Sequence, residues 1–336
     1  MVGPAPLLFL GPVVFWGLSF FGAVARGYRG LMEYDEVIAA FFQPSPAGVE
    51  PAPTQQASPA RRLRDALEPI AMHSVWSRQN NERLAELGHD FMSAYACSRA
   101  GLMGEPEPGV VAAAFAVFEP SMIAGVYETG RALCDRDTLL ATRTEATTAS
   151  LTAALDGADM AQVEKVGGAL KQAVDGVSGV GKPLFSGLQN QPWPTDPVGQ
   201  LWRATEQFRE HRGDSHVAVC TAAGLDPVEM NVLTELWLGI PLGEYSGTRG
   251  WDEATLAAAT DRLRGKGWVE GDVISAAGKS YRDGLETQTD QLQQPIMDAL
   301  TGQVDLDDAV SSLAAWSQQC IDAKAFPPNA FKRAAG

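Results

Sequence analysis

Between Leu201 and Ile296 apolar residues recur at helical spacing in successive runs, and a segment of a different kind interrupts them. Trp268-Val269-Glu270-Gly271-Asp272-Val273-Ile274 reads as two short strands joined by a tight turn. Before it, Leu201, Trp202, Thr205 and Phe208 open an amphipathic helix that runs to Gly224. Asp226-Pro227-Val228-Glu229 starts the next helix. Asp226 caps it, Pro227 sits in a first turn where its missing amide costs nothing, and Glu229 closes a capping box. After a loop containing Gly247 and Gly250, WDEATLAAATDRLRGKG forms a third helix. It turns Leu256, Ala259 and Leu263 inward and stops at Gly265 and Gly267. Beyond the hairpin, Ser275 caps a long helix over 276–300, on which Tyr281, Leu285, Leu292 and Ile296 share a stripe.

Helix, helix, helix, hairpin, helix is the order of a winged helix-turn-helix unit, and it places one at 198–300. The rest of the chain extends a mainly α fold. Residues 61–176 read as a helical domain, with apolar positions from Leu63 to Tyr95 at helical spacing and stops at Gly101, Gly104, Pro106 and Pro108. The Gly- and Pro-dense stretch 177–197 reads as the linker between two halves, and 301–336 as a C-terminal helix and tail. Tyr95-Ala-Cys97-Ser-Arg-Ala100-Gly101-Leu102 echoes Ala218-Val-Cys220-Thr-Ala-Ala223-Gly224-Leu225, with Cys, Ala, Gly and Leu in register. The echo makes the first domain a candidate degenerate copy of the winged unit.

Residues 1–60 stand apart as an apolar segment and a Pro/Ala-rich linker. LLFLGPVVFWGLSFFGAV, at 7–24, is uncharged and just long enough to span a membrane, with Arg26 and Arg29 after it. A membrane is a partner if this is a genuine anchor. A signal peptide is the rival, weakened by the lack of a basic residue before the run. An artefactual start upstream of Met32 is the third reading.

The charge balance limits partners. Lys and Arg total 26 against 41 Asp and Glu, a net −15, which repels duplex DNA unless basic groups gather on one face. The candidates for such a face are Arg249, Arg262, Arg264, Lys266 and Lys279, opposed by Asp252, Glu253, Asp261, Glu270 and Asp272. The cysteines, Cys97, Cys134, Cys220 and Cys320, form no CxxC pair and fit reduced thiols in a cytoplasmic protein. No Walker loop, dinucleotide fingerprint or HExxH chelator is present, so neither a cofactor nor a metal is expected.

The densest chemistry is Arg209-Glu210-His211-Arg212-Gly213-Asp214-Ser215-His216. On a helix, Arg209, Arg212 and His216 fall near one face and Glu210 with Asp214 near another, while His211 and His216 point apart. Two readings stand. One is a salt-bridged helix whose carboxylates pair with arginines of this or a neighbouring unit. The other is a polar ligand pocket between the halves, where Arg209 or Arg212 grips an anionic group and His216 or His211 handles a proton. Tyr95 and Arg99, one turn apart, join that cleft as candidates, as does His73. On its apolar helix His73 also reads as a satisfied core histidine.

These residues resemble a family. Leu67-Glu68-Pro69-Ile70 with His73, Tyr95 to Leu102, Pro183-Leu184-Phe185, Leu201-Trp202, REHRGDSH, and Gly267-Trp268-Val269 through Glu286-Thr287-Gln288-Thr289-Asp290 are similar to an actinobacterial helix-turn-helix family. That family is labelled SalK-like and related to MarR-type winged helices. The likeness covers 61–300, with REHRGDSH its most specific piece. It implies the fold and brings no activity or catalytic residues. The expectation is a cytoplasmic, ligand-responsive regulatory or binding protein, dimeric through 276–300, with a small molecule and duplex DNA as candidate partners. The alternative is an enzyme with an acid/base and anion-binding site at REHRGDSH.

Overall fold

Four helix starts in this chain pair an oxygen-bearing cap with a proline directly after it. They are Ser58-Pro59, Glu119-Pro120, Asp196-Pro197 and Asp226-Pro227, and each cap side chain accepts a first-turn amide. The computed structural model describes residues 34–45, 51 and 57–335, so the apolar run at 7–24 lies outside the described residues. The chain is mainly α. Its helices are α1 (Tyr34–Phe41), α2 (Pro59–Ala71), α3 (His73–Trp76), α4 (Arg78–Ala85), α5 (Phe91–Ala100), α6 (Pro108–Phe115), α7 (Pro120–Gly130) and α8 (Arg136–Ala154). They continue with α9 (Met160–Asp175), α10 (Pro183–Gln189), α11 (Pro197–Ala222), α12 (Pro227–Leu238), α13 (Glu253–Gly265), α14 (Ala276–Leu300), α15 (Leu306–Asp322) and α16 (Ala330–Ala335). Strands β1 (Val269–Glu270) and β2 (Val273–Ile274) stand between α13 and α14.

The C-terminal unit has the expected element order. Asp226 and Glu229 form the capping box of α12, and Ser275 accepts the Gly278 amide to cap α14. The strands pair antiparallel, Val269 with Ile274 and Glu270 with Val273, around Gly271 at φ +59°. The Arg264 guanidinium donates to the Gly271 carbonyl at 3.0 Å, and Trp268 stacks on Tyr281 with ring centroids 3.7 Å apart. The hairpin is therefore tied to the helices on both of its sides.

α11 is the axis of the whole chain. Leu201, Trp202, Ala204 and Phe208 of its first half share one core with residues of α2, α9, α14 and α15. Backbone approaches backbone at Gly167 of α9, where an added Cβ would lie 3.2 Å from the Leu201 Cα. The second half of α11 carries Val219 and Cys220 into the core of the C-terminal unit. No helix among the described residues is long and apolar enough to cross a membrane.

Three local features differ from the sequence expectation. The fold begins before Arg61, because Tyr34, Val37, Phe41 and Phe42 of α1 and its end pack on Trp76. The helical stretch from Leu63 to Tyr95 is divided into α2, α3, α4 and α5, with Ser77 and Asp90 capping new starts where continuous periodicity suggested fewer breaks. The Gly- and Pro-dense stretch contains α10, which buries Leu184, Phe185 and Leu188. Proline at its N1 position initiates a helix as readily as proline elsewhere ends one.

The first half repeats the order of the second without a hairpin. α5, α6, α7 and α8 follow one another as α11, α12, α13 and α14 do, and a loop over 131–135 stands where the hairpin would be. The ends match as well. Gly157 at φ +79° stands between α8 and the Asp159 cap, as Gly302 at φ +83° stands between α14 and the Asp305 cap.

On α14, Gly278 crosses beneath the hairpin, and a Cβ there would lie 2.1 Å from the Trp268 carbonyl oxygen. Gly278→Ala is therefore expected to lower unfolding stability by about 1–3 kcal/mol, as overpacking against backbone does. Urea titration followed by tryptophan fluorescence measures it. An unchanged midpoint would remove the close approach from this account of the hairpin.

Candidate functional site

A helix normally keeps one face for solvent, yet α11 buries Arg203, Glu206, Glu210, His211, Arg212, Asp214 and Ser215 together with its apolar residues. Each buried charge must then find a partner on another element. Arg99 of α5 donates to Glu210 at 2.7 Å, and Arg209 donates to Glu210 at 2.9 Å and to both oxygens of Glu68 at 3.2 Å. Arg64 lies 3.3 Å from Glu68, which extends the chain of pairs into α2. A second group centres on Glu286 of α14, which takes Arg61 at 3.0 Å, Arg282 at 2.9 Å and also Arg212. Arg212 reaches Asp290 as well, at 2.7 Å.

These side chains enclose a cavity of about 180 Å³. Seven arginines line it (Arg61, Arg64, Arg99, Arg209, Arg212, Arg249 and Arg282) against the carboxylates of Glu210, Asp214 and Glu286. Aromatic rings complete the wall. Arg99 lies 4.8 Å from the Phe115 ring, and Arg249 lies 4.5 Å from Tyr245 and 5.0 Å from Phe118. The chain's own tail closes one side. The Ala334 carbonyl accepts from Arg61 at 2.8 Å, and the Ala335 carbonyl accepts from the Tyr245 hydroxyl at 3.2 Å.

Of the residues singled out as ligand candidates, Tyr95, Arg99, Arg209, Glu210, Arg212, Asp214 and His216 come together around this cavity. His211 and His73 do not. His211 hydrogen-bonds with Gln293 at 3.1 Å and sets its ring edge-on to Phe185, while His73 hydrogen-bonds with Ser150 at 2.9 Å in the core. His216 hydrogen-bonds with Thr289 at 3.0 Å. Sequence reasoning missed Glu68, Glu286 and Asp290 as partners, and Arg61 and Arg64 as lining residues. The run RRLRDALE at 61–68, with arginines four residues before acids, was the available signal.

Burial sets the titration of the site. It pushes His216 down to about 3, helped by Arg282, and His211 down to about 4, so both imidazoles are neutral near pH 7. His73 is likewise pushed down to about 3 by burial. Burial works against the charge of Glu286, but Arg282, Arg212 and Arg61 outweigh it and hold the carboxyl well below its usual range. Asp214 behaves oppositely. Burial raises it to about 7, although its Oδ2 accepts the Phe185 amide at 3.0 Å. The lining group that titrates near neutrality is therefore the Asp214 carboxyl, where the sequence pointed to histidines.

Four of the five candidate DNA-facing residues, Arg262, Arg264, Lys266 and Lys279, are ion-paired within the chain. Arg262 pairs with Asp226 and, at 3.3 Å, with Glu229; Lys266 pairs with Glu229 at 3.0 Å. Arg264 takes Asp261 at 2.7 Å and Asp272 at 3.0 Å, and Lys279 takes Asp283 at 2.7 Å. The loop before α13 is docked on the α6–α7 turn. The Glu119 amide donates to the Arg249 carbonyl at 2.8 Å, and the Trp251 indole donates to the Val117 carbonyl at 3.0 Å. Among the described residues no group of three or more His, Cys, Asp or Glu is placed to hold a metal ion.

A family model described as a helix-turn-helix family matches residues 60–327. No curated protein and no solved structure matches the chain.

Asp214 gives the fold a pH signature. Unfolded, it loses its proton near 3.8; folded, it keeps it to about 7. The folded state holds the extra proton between those values, so this residue's contribution lowers stability as pH rises through that window and levels off above it. Asp214→Asn is expected to flatten that part of the curve, read as urea midpoints between pH 5 and 7.5. An identical slope in the variant would place the ionised form of Asp214 in the native state.

Proposed function

The chain belongs to this helix-turn-helix family, and from that premise we propose that it is a cytoplasmic, ligand-responsive regulator whose sensing cavity is the one bordered by REHRGDSH. The SalK-like character and the kinship with MarR-type winged helices are part of the same proposal, supported by the order α11–α12–α13–hairpin–α14. Seven guanidiniums facing a small aromatic-walled space suit an anionic small molecule.

The observation that carries the reading is the place of Arg249. Its guanidinium lines the cavity on Tyr245 and Phe118, and its Nε has no hydrogen-bond partner. Its carbonyl anchors the loop on the α6–α7 turn, and three residues later Asp252 caps α13. A ligand that draws Arg249 to itself and the position of α13 therefore share one residue, and occupancy of the cavity shifts the helix that a winged unit presents to DNA.

A second reading rests on Asp214, a carboxyl that keeps its proton to about pH 7 near Arg99. It fits an acid/base enzyme with arginine anchors.

Duplex titration at two salt concentrations separates them, using random genomic fragments with the full chain and Arg249→Ala. The regulator reading expects salt-sensitive affinity that differs at least tenfold between the two proteins, because freeing the loop releases α13. Absence of duplex affinity in both at low salt would sink it. Turnover lost on Asp214→Asn, with the fold intact, would then favour the enzyme.

A further inference from the structure

A second and larger cavity, of about 1260 Å³, opens between α8, α10 and the segment over 190–196. Arg203 of α11 lines it while being only 3% exposed, and its Nε and Nη1 have no hydrogen-bond partner. The nearest carboxylate, Glu206, is 3.6 Å from that Nε, beyond hydrogen-bond reach. Glu206 is already committed to Arg143, which donates to both of its oxygens. Two buried guanidiniums thus share one carboxylate, and both lie on Trp202, at 5.0 and 5.1 Å from its ring centre. Burial lowers Arg203 to about 10 against the pull of Glu206, which leaves it charged at neutral pH.

A buried cation left with only a shared carboxylate beyond hydrogen-bond reach is costly to maintain, and a fold that retains one beside an open cavity has a place for an anion. The surroundings specify the anion further. Thr148 lines the same cavity with its buried hydroxyl unpartnered, and Leu102, Leu140, Trp193 and Pro194 supply apolar walls. The other charged groups there are engaged or exposed. Arg136 donates to the Gly101 carbonyl and to Asp137, Asp196 caps α11, and Glu145 is exposed.

We propose that this cavity binds an organic anion, a carboxylate or sulfonate on an apolar body of ring size, with the acid group on Arg203 and Thr148 and the body against Leu102, Leu140 and Trp193. The site is separate from the cavity at REHRGDSH and stands whether or not that cavity is a sensor.

The probe is 1-naphthoate, titrated against the full chain with tryptophan fluorescence as the readout and 1-naphthalenemethanol as the uncharged control. Saturable naphthoate binding is expected, at least tenfold weaker for the alcohol and for Arg203→Met. In the absence of probe, Arg203→Met is expected to unfold at the same or a higher temperature, since it removes a buried charge whose nearest carboxylate is held by Arg143. No saturable binding, equal binding of the alcohol, or undiminished binding by Arg203→Met overturns the proposal. If that variant does not fold, Thr148→Val and Trp193→Ala take its place. Weakened naphthoate binding in both supports the site, and wild-type affinity in both overturns it.

Discussion

Everything in this molecule is arranged around the desolvated charges of α11. A helix that buries Glu206, Glu210, Arg212 and Asp214 holds its place only if partners arrive from elsewhere, and they come from α2, α5, α8, α10 and α14. Such pairs seldom stabilise more than well-packed apolar residues of equal volume, because desolvation consumes much of the Coulombic gain. Their effect here is on register. Sliding α11 by one turn would keep much apolar contact but strand several buried charges, each at a cost of several kcal/mol. Glu286 is the most shared member, with Arg61, Arg212 and Arg282 on one carboxylate.

The same economy of partners links the interior to the C-terminal unit. Glu235 of α12 is buried and accepts the amides of Gly243, Tyr245 and Ser246, which shapes the loop leading to Arg249. That loop touches the α6–α7 turn on one side and the arginine-lined cavity on the other. The start of α13, with its Asp252 cap and Glu253, follows directly and faces Glu119 of the first half. Acids at that end, and basic residues tied down along the rest of α13, give this conformation little positive potential to offer a phosphate backbone. The proposed regulator role therefore calls for a conformational change before DNA would meet α13 favourably.

Much of the C-terminal unit was legible because its signals are local. Capping boxes, Gly271 in the hairpin turn and the Gly265–Gly267 stop all act within a few residues, and each matches the structure. The divisions among α2, α3, α4 and α5 were not, since hydrophobic spacing continues across Ser77 and Asp90 while only the caps mark the breaks. α1 was missed because its Tyr34, Val37 and Phe41 gain meaning only against Trp76. At the site the polar run itself stood out, but its partners did not. Glu68 lies 141 positions from Arg209, and Asp290 lies 78 from Arg212. No periodicity reports contacts at that separation. Arg203, an arginine on an apolar stretch, carries no local mark at all.

Carrying both helical halves on one chain has a consequence for how the molecule holds together. Two copies of a helical unit that associate as separate chains dissociate on dilution, and their stability depends on protomer concentration. Joined in one chain, with α11 passing from the central core into that of the C-terminal unit, the halves meet at a fixed effective concentration. Neither has to remain complementary to an identical twin. The first can then differ from the second and give its α6–α7 turn to the docking of the loop before α13, a division of labour that a symmetric assembly would forbid.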